Sequence, residues 1–255
     1  MNLFQEYEKQ QGWRDWSRFV ELIPLTANDT VIDLGCSVGD VSRMFSRQVK
    51  HVVGVDINDE FITFCDSRKS SNETFKLSDF LSLNYLEIQR YFGEVNGIWA
   101  SYSLSYLSDP ISYLTSLYSV LNEGGWIALL DVSCFISGNL AKDSKYYTRV
   151  MAFEQASYRS GLYDFDFGGK MQAMLGQAGF DIVHVDNDVS DPELNFSGAA
   201  SFDVIEGWSA RLGRMKKLRE LLGEEYAEFC DEFLANLRAD THDKRGNVRF
   251  VVAKK

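Results

Sequence analysis

Three observations predict one α/β domain built on a mostly parallel sheet for this 255-residue sequence. From Thr30 onward, short β-branched runs alternate with helical patterns, as crossover units do. The first run, "VIDLGCSVGD" (residues 31–40), stops in a turn almost free of side chains and restarts as a helix. Hydrophobic residues make up 45% and charged residues 25%, with only three prolines, which suits a large core and leaves little for disordered linkers.

The elements follow in order. Within residues 1–28, Trp13, Trp16, Phe19, Val20 and Ile23 recur at helical spacing. "TVIDL" is the first strand, and "VSRMFSRQV" is a helix with Val41, Met44, Phe45 and Val49 on one face. "HVVGVD" is the second strand, followed by a helix around "DEFITFCDSRK", the weaker strand "TFKLS" and a helix near residues 81–91. "GIWASYS" and "GGWIALLDVS" are the fourth and fifth strands. The helix between them starts at Pro110, and Asn122, Gly124 and Gly125 mark its end. "FDIVHVD" and "VRFVVAKK" are the last two strands. Three stretches fall outside the alternation: residues 1–28, the aromatic-rich residues 134–167, and residues 187–247 with two further helical patterns. No internal repeat or low-complexity tract is visible.

Charge and cysteine usage narrow the function. With 37 acidic against 26 basic residues the net charge is -11, a field that repels polyanions, so no nucleic-acid partner is expected. No export signal is read at the start, and the longest apolar run, near residues 126–130, is short and cut by Asp131, so no membrane association is expected. Cys36, Cys65, Cys134 and Cys230 lack the paired spacing of a metal site or disulfide framework, which points to reduced thiols in a cytoplasmic chain.

The glycine turn is the chemical signal. A dinucleotide-binding turn needs three glycines for its pyrophosphate, whereas this one has Gly35 and Gly39 preceded by an acid, Asp33. A carboxylate there repels a pyrophosphate and suits an ammonium group. About twenty residues on, the second strand ends in Asp56, placed to accept the hydroxyls of a ribose. The third strand ends at Asp79 and Phe80, an acceptor for a purine amine and a ring to lie beside it. Three acids at the tips of successive strands outline an adenosine bearing an amino acid: S-adenosylmethionine. Each member has a plainer reading when taken alone: the glycines as packing, Asp56 as a helix cap, Asp79 as a turn residue. Their ordered co-occurrence carries the assignment.

The succession "VIDLGCSVGD", "VVGVDIN", "LSDF", "GIWASYSLSYL", "LNEGGWIALLDVS" resembles the class I S-adenosylmethionine-dependent methyltransferases. The resemblance covers roughly residues 13–132 and the final strands. It implies a Rossmann-like seven-stranded sheet of order 3-2-1-4-5-7-6, with strand seven antiparallel. It implies that Asp33, Gly35, Cys36 and Gly39 line the methionine end, Asp56 and Ile57 the ribose, Asp79 and Phe80 the adenine, and that Ser101 and Tyr102 lie near the sulfonium. Ser37 departs from the pattern, standing where the family usually has its middle glycine.

Methyl transfer from a sulfonium is an in-line displacement that needs alignment and dryness and no metal. "ASYSLSYL" lacks the Asn-Pro-Pro-aromatic signature of enzymes that methylate nucleobases or protein amides, so a small organic acceptor at oxygen, nitrogen or carbon is expected. A macromolecular acceptor and a catalytically silent cofactor-binding module are the alternatives. Tyr102 and Tyr106 are candidates to flank the sulfonium or orient the acceptor. His51 and His184 read as structural, while His242, in the "THDKRGN" loop that opens an antiparallel last strand, is the candidate base. With that topology, residues 1–28, 134–167 and 187–247 gather over the active edge as a helical lid. The run "RLGRMKKLRE" reads as a solvated helix face.

Overall fold

Side chains on a strand point alternately to opposite faces, and this period sorts the core into two layers. In the computed structural model, which describes residues 3–83, 85–93 and 95–255 without the side chains at 85, 88, 91 and 92, Val31, Val52, Trp99 and Ala128 face one layer. Ile32, Val53, Ile98 and Leu129 face the other. Met1, Asn2, Asn84 and Glu94, which fall within or beside segments read above, lie outside the described residues.

The elements in chain order are α1 (Leu3–Trp13), α2 (Trp16–Val20), β1 (Thr30–Leu34), α3 (Asp40–Ser46), β2 (His51–Asp56), α4 (Asp59–Asp66), β3 (Glu73–Leu77), α5 (Tyr85–Phe92) and β4 (Val95–Ser101). They continue with α6 (Pro110–Val120), β5 (Leu121–Val132), α7 (Tyr147–Arg159), α8 (Phe167–Gln177), β6 (Asp181–Val189), α9 (Phe202–Arg214), α10 (Lys216–Leu222), α11 (Tyr226–Arg238) and β7 (Val248–Lys254). The seven strands form one sheet in the order β3-β2-β1-β4-β5-β7-β6. β1 lies parallel between β2 and β4, pairing Ile32 with Val53 and with Ile98. β7 is antiparallel to both neighbours, its Val251 opposite Leu129 and Val185. This is the expected order, and it turns the tips of β1 to β5 and the start of β7 to one edge.

Three boundaries differ from expectation. The amphipathic N-terminal segment is two helices broken at Arg14 and Asp15, so that α2 can lay Trp16 and Phe19 against Trp99 of the sheet, with ring centroids 6.2 and 6.5 Å away. β5 starts at Leu121 rather than after the glycines, because Val95 pairs with Leu121 across a register shift. β6 runs on to Val189 because Val248 of β7 still offers it a partner. Burial of large side chains such as Trp99, Trp126 and Phe250 holds the layers together, each worth about 1.5–3 kcal/mol. Among the described residues, no helix is long and apolar enough to cross a membrane.

Candidate active site

The chain leaves β1 through a turn in which Gly35, Ser37 and Gly39 have φ of 80°, 50° and 82°. Left-handed backbone is natural for glycine and costs other residues about 1–2 kcal/mol. A Cβ on Gly35 would stand 2.6 Å from Ser103 Cβ, and one on Gly39 would stand 2.9 Å from Cys65 Sγ. The backbone N–H groups of Gly35 and Cys36 both donate to the Val55 carbonyl, at 2.8 and 3.0 Å, which pins the turn to β2. Ser37 thus accepts the conformation that a glycine would take freely, and its N–H donates to Asp56 Oδ2 at 2.9 Å. The Ser37 hydroxyl is buried with no partner among the described residues.

Three acids meet at this edge. Asp33 is buried under the turn and accepts from Ser42 Oγ at 2.6 Å. Burial pushes its carboxyl up to about 7, against the Ser42 hydrogen bond and helped by the charge of Asp56. Asp56 is half-buried, and its second oxygen, Oδ1, accepts from Asn58 N at 2.9 Å. Burial raises its carboxyl too. Asp79 is exposed and makes no capping bond to the turn it precedes. None of the three has an ion-pair partner among the described residues. Beside them Ile57 is 68% exposed and Leu77 is exposed, which is apolar surface placed among acids. Phe80 is buried beneath, its ring 4.0 Å from the Gly35 Cβ position and its carbonyl bonded by Tyr113 OH.

Cys36 is not presented to this edge. Its thiol packs with Ile62, Cys65 and Phe75, and its N–H and carbonyl are both engaged within the protein, so no polar group of the residue is left for a ligand. Ser101 is half-buried at the end of β4, next to Tyr102, whose φ is 54°. The Tyr102 hydroxyl donates to Asp191 Oδ2 at 3.1 Å, and its ring lies 4.9 Å from the Arg14 guanidinium.

Helix α1 roofs the strand tips. On one flank Phe4 and Tyr7 pack on α4, with ring centroids 4.8 Å from Phe64 and 5.2 Å from Phe61 respectively. On the other flank a set of ion pairs reaches the segment after β6. Arg14 meets Asp191 at 2.7 Å and Glu193 at 3.1 Å, Glu6 meets Arg214 at 2.7 Å, and Lys9 meets Asp203 and Glu206. Against burial, which favours its neutral form, Asp191 and Glu193 hold Arg14 protonated. Tyr7 lies close enough to Tyr106, Arg211 and Asp56 to feel their charges, so it stands near both the acid edge and Tyr106.

Tyr106 and Tyr163 lie near the tip of β5, close enough to feel the charge of Asp131. Asp131, buried at the strand tip, accepts from Ser105 Oγ at 3.0 Å and Val132 N at 2.8 Å. Burial lifts its carboxyl to about 7. Tyr163 lies near Ser105, and its ring meets Tyr106 edge-on at 4.7 Å. Tyr106 is 58% exposed. Asp131 carries the same signal as Asp33 and Asp56, an acid closing a strand, and that signal was sufficient to find it. Tyr7 and Arg211 had no such signal.

Two readings are corrected here. His242, the candidate base, is 3% exposed: it stacks on Phe196 at 4.7 Å, and neither ring nitrogen has a partner among the described residues. Burial lowers its pKa and keeps it neutral. The basic run is not one solvated face either, because α9 ends at Arg214 and α10 begins at Lys216 after a break at Met215. Before that break, Arg211 falls on the buried face with Gly207 and Trp208 and meets the buried Glu193 at 2.7 Å.

A mostly parallel sheet with one antiparallel strand, and acids gathered at its carboxyl edge around a glycine turn, define the class of nucleoside-binding α/β enzymes. The methyltransferase-domain family model matches residues 4–185, and the chain belongs to that family, whose members use S-adenosylmethionine. It is 23% identical to phosphoethanolamine N-methyltransferase 1 of Triticum aestivum, over 82% of this chain and 43% of that protein. It is 25% identical to the ubiquinone/menaquinone biosynthesis C-methyltransferase of Proteus mirabilis, over 68% and 75% of the two chains. The chain spans less than half the length of the wheat relative. An S-adenosylmethionine-dependent methyltransferase from Mesorhizobium loti has the same fold, with TM-score 0.57 and 16% identity over 94% of this chain and 97% of that one. The edge fits the cofactor: its acids have no ion-pair partner among the described residues, which suits a ligand with an ammonium and a sulfonium, and Ile57 and Leu77 leave apolar surface where a nucleoside could lie.

Proposed function

We propose that the protein methylates a small organic molecule under the roof formed by α1. One observation carries this reading: acids without an ion-pair partner among the described residues stand at the tips of β1, β2 and β3, close to Tyr7 and, through Tyr106, to Tyr163. When bound, S-adenosylmethionine supplies an electrophilic methyl group on a sulfonium. Asp33 and the Gly35–Gly39 turn hold its amino-acid end, Asp56 and Ile57 its ribose, and Asp79 and Phe80 its adenine, with Ser101 beside the sulfur. Cys36 supports the turn from below. Tyr102, whose hydroxyl is committed to Asp191, contributes its ring and its backbone, and Tyr106 orients the acceptor.

Segments 1–28, 134–167 and 187–247 act together as the cap of a single domain, and their closure excludes water. Alignment of this kind is worth on the order of 7–11 kcal/mol of barrier. The base role moves from His242 to Asp131, whose carboxylate takes the acceptor's proton through Ser105. The feature that favours a macromolecular acceptor is weakened, because Arg211 and Arg214 of the basic run are tied to Glu193 and Glu6 and only Lys216, Lys217 and Arg219 are left to it. The unpaired cysteines suit a cytoplasmic location.

Calorimetry with S-adenosylhomocysteine tests the cofactor assignments, and labelled-methyl transfer to metabolite extracts against total RNA and protein tests the acceptor. Binding lost in Asp56→Ala and label in the metabolite fraction are expected. Label in RNA or protein, or turnover nowhere, overturns the small-acceptor reading.

A further inference from the structure

Between the end of α11 and the start of β7, within residues 239–247, His242 is the one buried side chain. Its ring lies 4.7 Å from that of Phe196 and is inclined to it by 26°, so an apolar stack joins this segment to the residues that lead into α9. Both ring nitrogens are buried with no partner among the described residues. A neutral imidazole bears that at some cost, and an imidazolium would bear it at far more.

The contacts around the stack are few. Gly198 N donates to the His242 carbonyl and Ala200 N to the Leu237 carbonyl, both at 2.8 Å, and Ser197 Oγ donates to the exposed Asp243 at 3.3 Å. On either side the chain is fastened. Arg245 N donates to the Gly138 carbonyl and Asn247 N to Ser133 Oγ, both at 3.0 Å. Asn195 exchanges backbone hydrogen bonds with Asp191, and its amide donates to the Val189 carbonyl at 2.6 Å. Residues 196–200 and 239–243 can therefore part between fixed ends, and the ring of His242 is what they enclose.

Little around the ring could hold a charge on it. Residues 195–200 carry no charged side chain. Its own segment brings Asp240, Asp243 and Lys244, of which Asp243 is engaged by Ser197 and Lys244 pairs with Asp188. The end of α11 adds a further cation, Arg238. Asp243 favours a proton on the imidazole, but burial outweighs it.

We infer that His242 and Phe196 form a pH-sensitive clasp in the cap: protonation drives the imidazole into water and parts residues 196–200 from 239–243. The inference rests on the cap reading for its consequence alone, which is faster release of the cofactor at acid pH. Its sign is opposite to that of Asp33 and Asp131, which hold a proton in the native state and stabilise the whole chain as pH falls through about 7. The imidazole gains its proton when the clasp opens, so the clasp loosens as pH falls through the ordinary value of 6.5. From pH 7.5 to pH 5.5, opening should rise about tenfold.

Amide hydrogen exchange of the full chain, corrected for the intrinsic effect of pH, tests this. Between those two pH values protection of residues 196–200 and 239–243 should fall about tenfold, while that of β1 and β4 holds or rises. His242→Phe keeps a ring against Phe196 and cannot titrate, so it should lose the step. His242→Gln serves the same purpose if the larger ring disturbs folding. No step in the wild type, or an equal step in a folded variant, overturns the clasp. Release of S-adenosylhomocysteine, followed by stopped flow, should quicken at pH 5.5 in the wild type and not in the variant. A step in exchange without quicker release supports the clasp and overturns the reading of residues 187–247 as a cover for the cofactor.

Discussion

The two halves of the cleft are built by different physics. The cofactor half is backbone: a left-handed turn, hydrogen bonds to Val55, and acids placed by the ends of adjacent strands. The roof half is side chain: Arg14, Asp191, Glu193 and Glu6 lie buried in ion pairs that tie α1 to residues far along the chain. A turn tolerates little change because its geometry admits few residues, whereas a buried ion pair tolerates little because a lone charge is left when one partner goes. On the proposed function, the difference separates what would bind the cofactor from what would close over it.

Arg14→Met should show the largest effect. It leaves Asp191 buried without its cation, while Glu193 keeps Arg211, at a cost of about 3–5 kcal/mol in chemical denaturation. If S-adenosylhomocysteine affinity at low temperature falls in step, the two halves are one unit and the comparison fails.

Gly35→Ala comes next and strikes the other half. The φ of 80° and a Cβ 2.6 Å from Ser103 should together cost ~2–3 kcal/mol, with loss of cofactor binding. Gly93→Ala is the control: its φ is 72° but nothing lies within 4 Å, so it should cost only about 1 kcal/mol and leave binding intact.

The third prediction concerns pH. Asp33 titrates at about 7 in the folded chain against 3.8 as its ordinary value, so between those values the native state holds a proton that the unfolded state has released. Stability therefore falls as pH rises through this window and levels off above about 7. From pH 6 to pH 8 the loss is about 1.4 kcal/mol for this group, and Asp33→Asn should abolish its share in parallel denaturation curves. Asp131→Asn should do the same for the acceptor half.

Lys9→Ala should be smallest. Its pairs with Asp203 and Glu206 are about half exposed, and a change of ~0–1 kcal/mol, screened further by salt, is expected. A larger loss would mean that the rim of the roof, and not only its buried ion pairs, holds α1 down.

Legibility followed the same division. Asp33, Asp56 and Asp79 could be read because each closes a strand, and strand ends on one sheet edge must meet. The Arg14 pairs could not be read, since 177 and 179 residues separate the partners and nothing local marks either one. Arg211 was read as solvated because a helical period was carried across Met215, where the backbone breaks, whereas Arg214 is exposed as read. His242 was assigned to the right loop and the wrong environment, because stacking on Phe196 depends on how two distant loops close.

The linear chain thus dictated the sheet, its order and the chemistry of its carboxyl edge, because strand periodicity and turn geometry act over a few residues and topology does the rest. Which charges go inside, where α1 rests and which phenols gather near Asp131 were settled by packing between segments from opposite ends of the chain. Desolvation there rewards a pairing that no short stretch encodes.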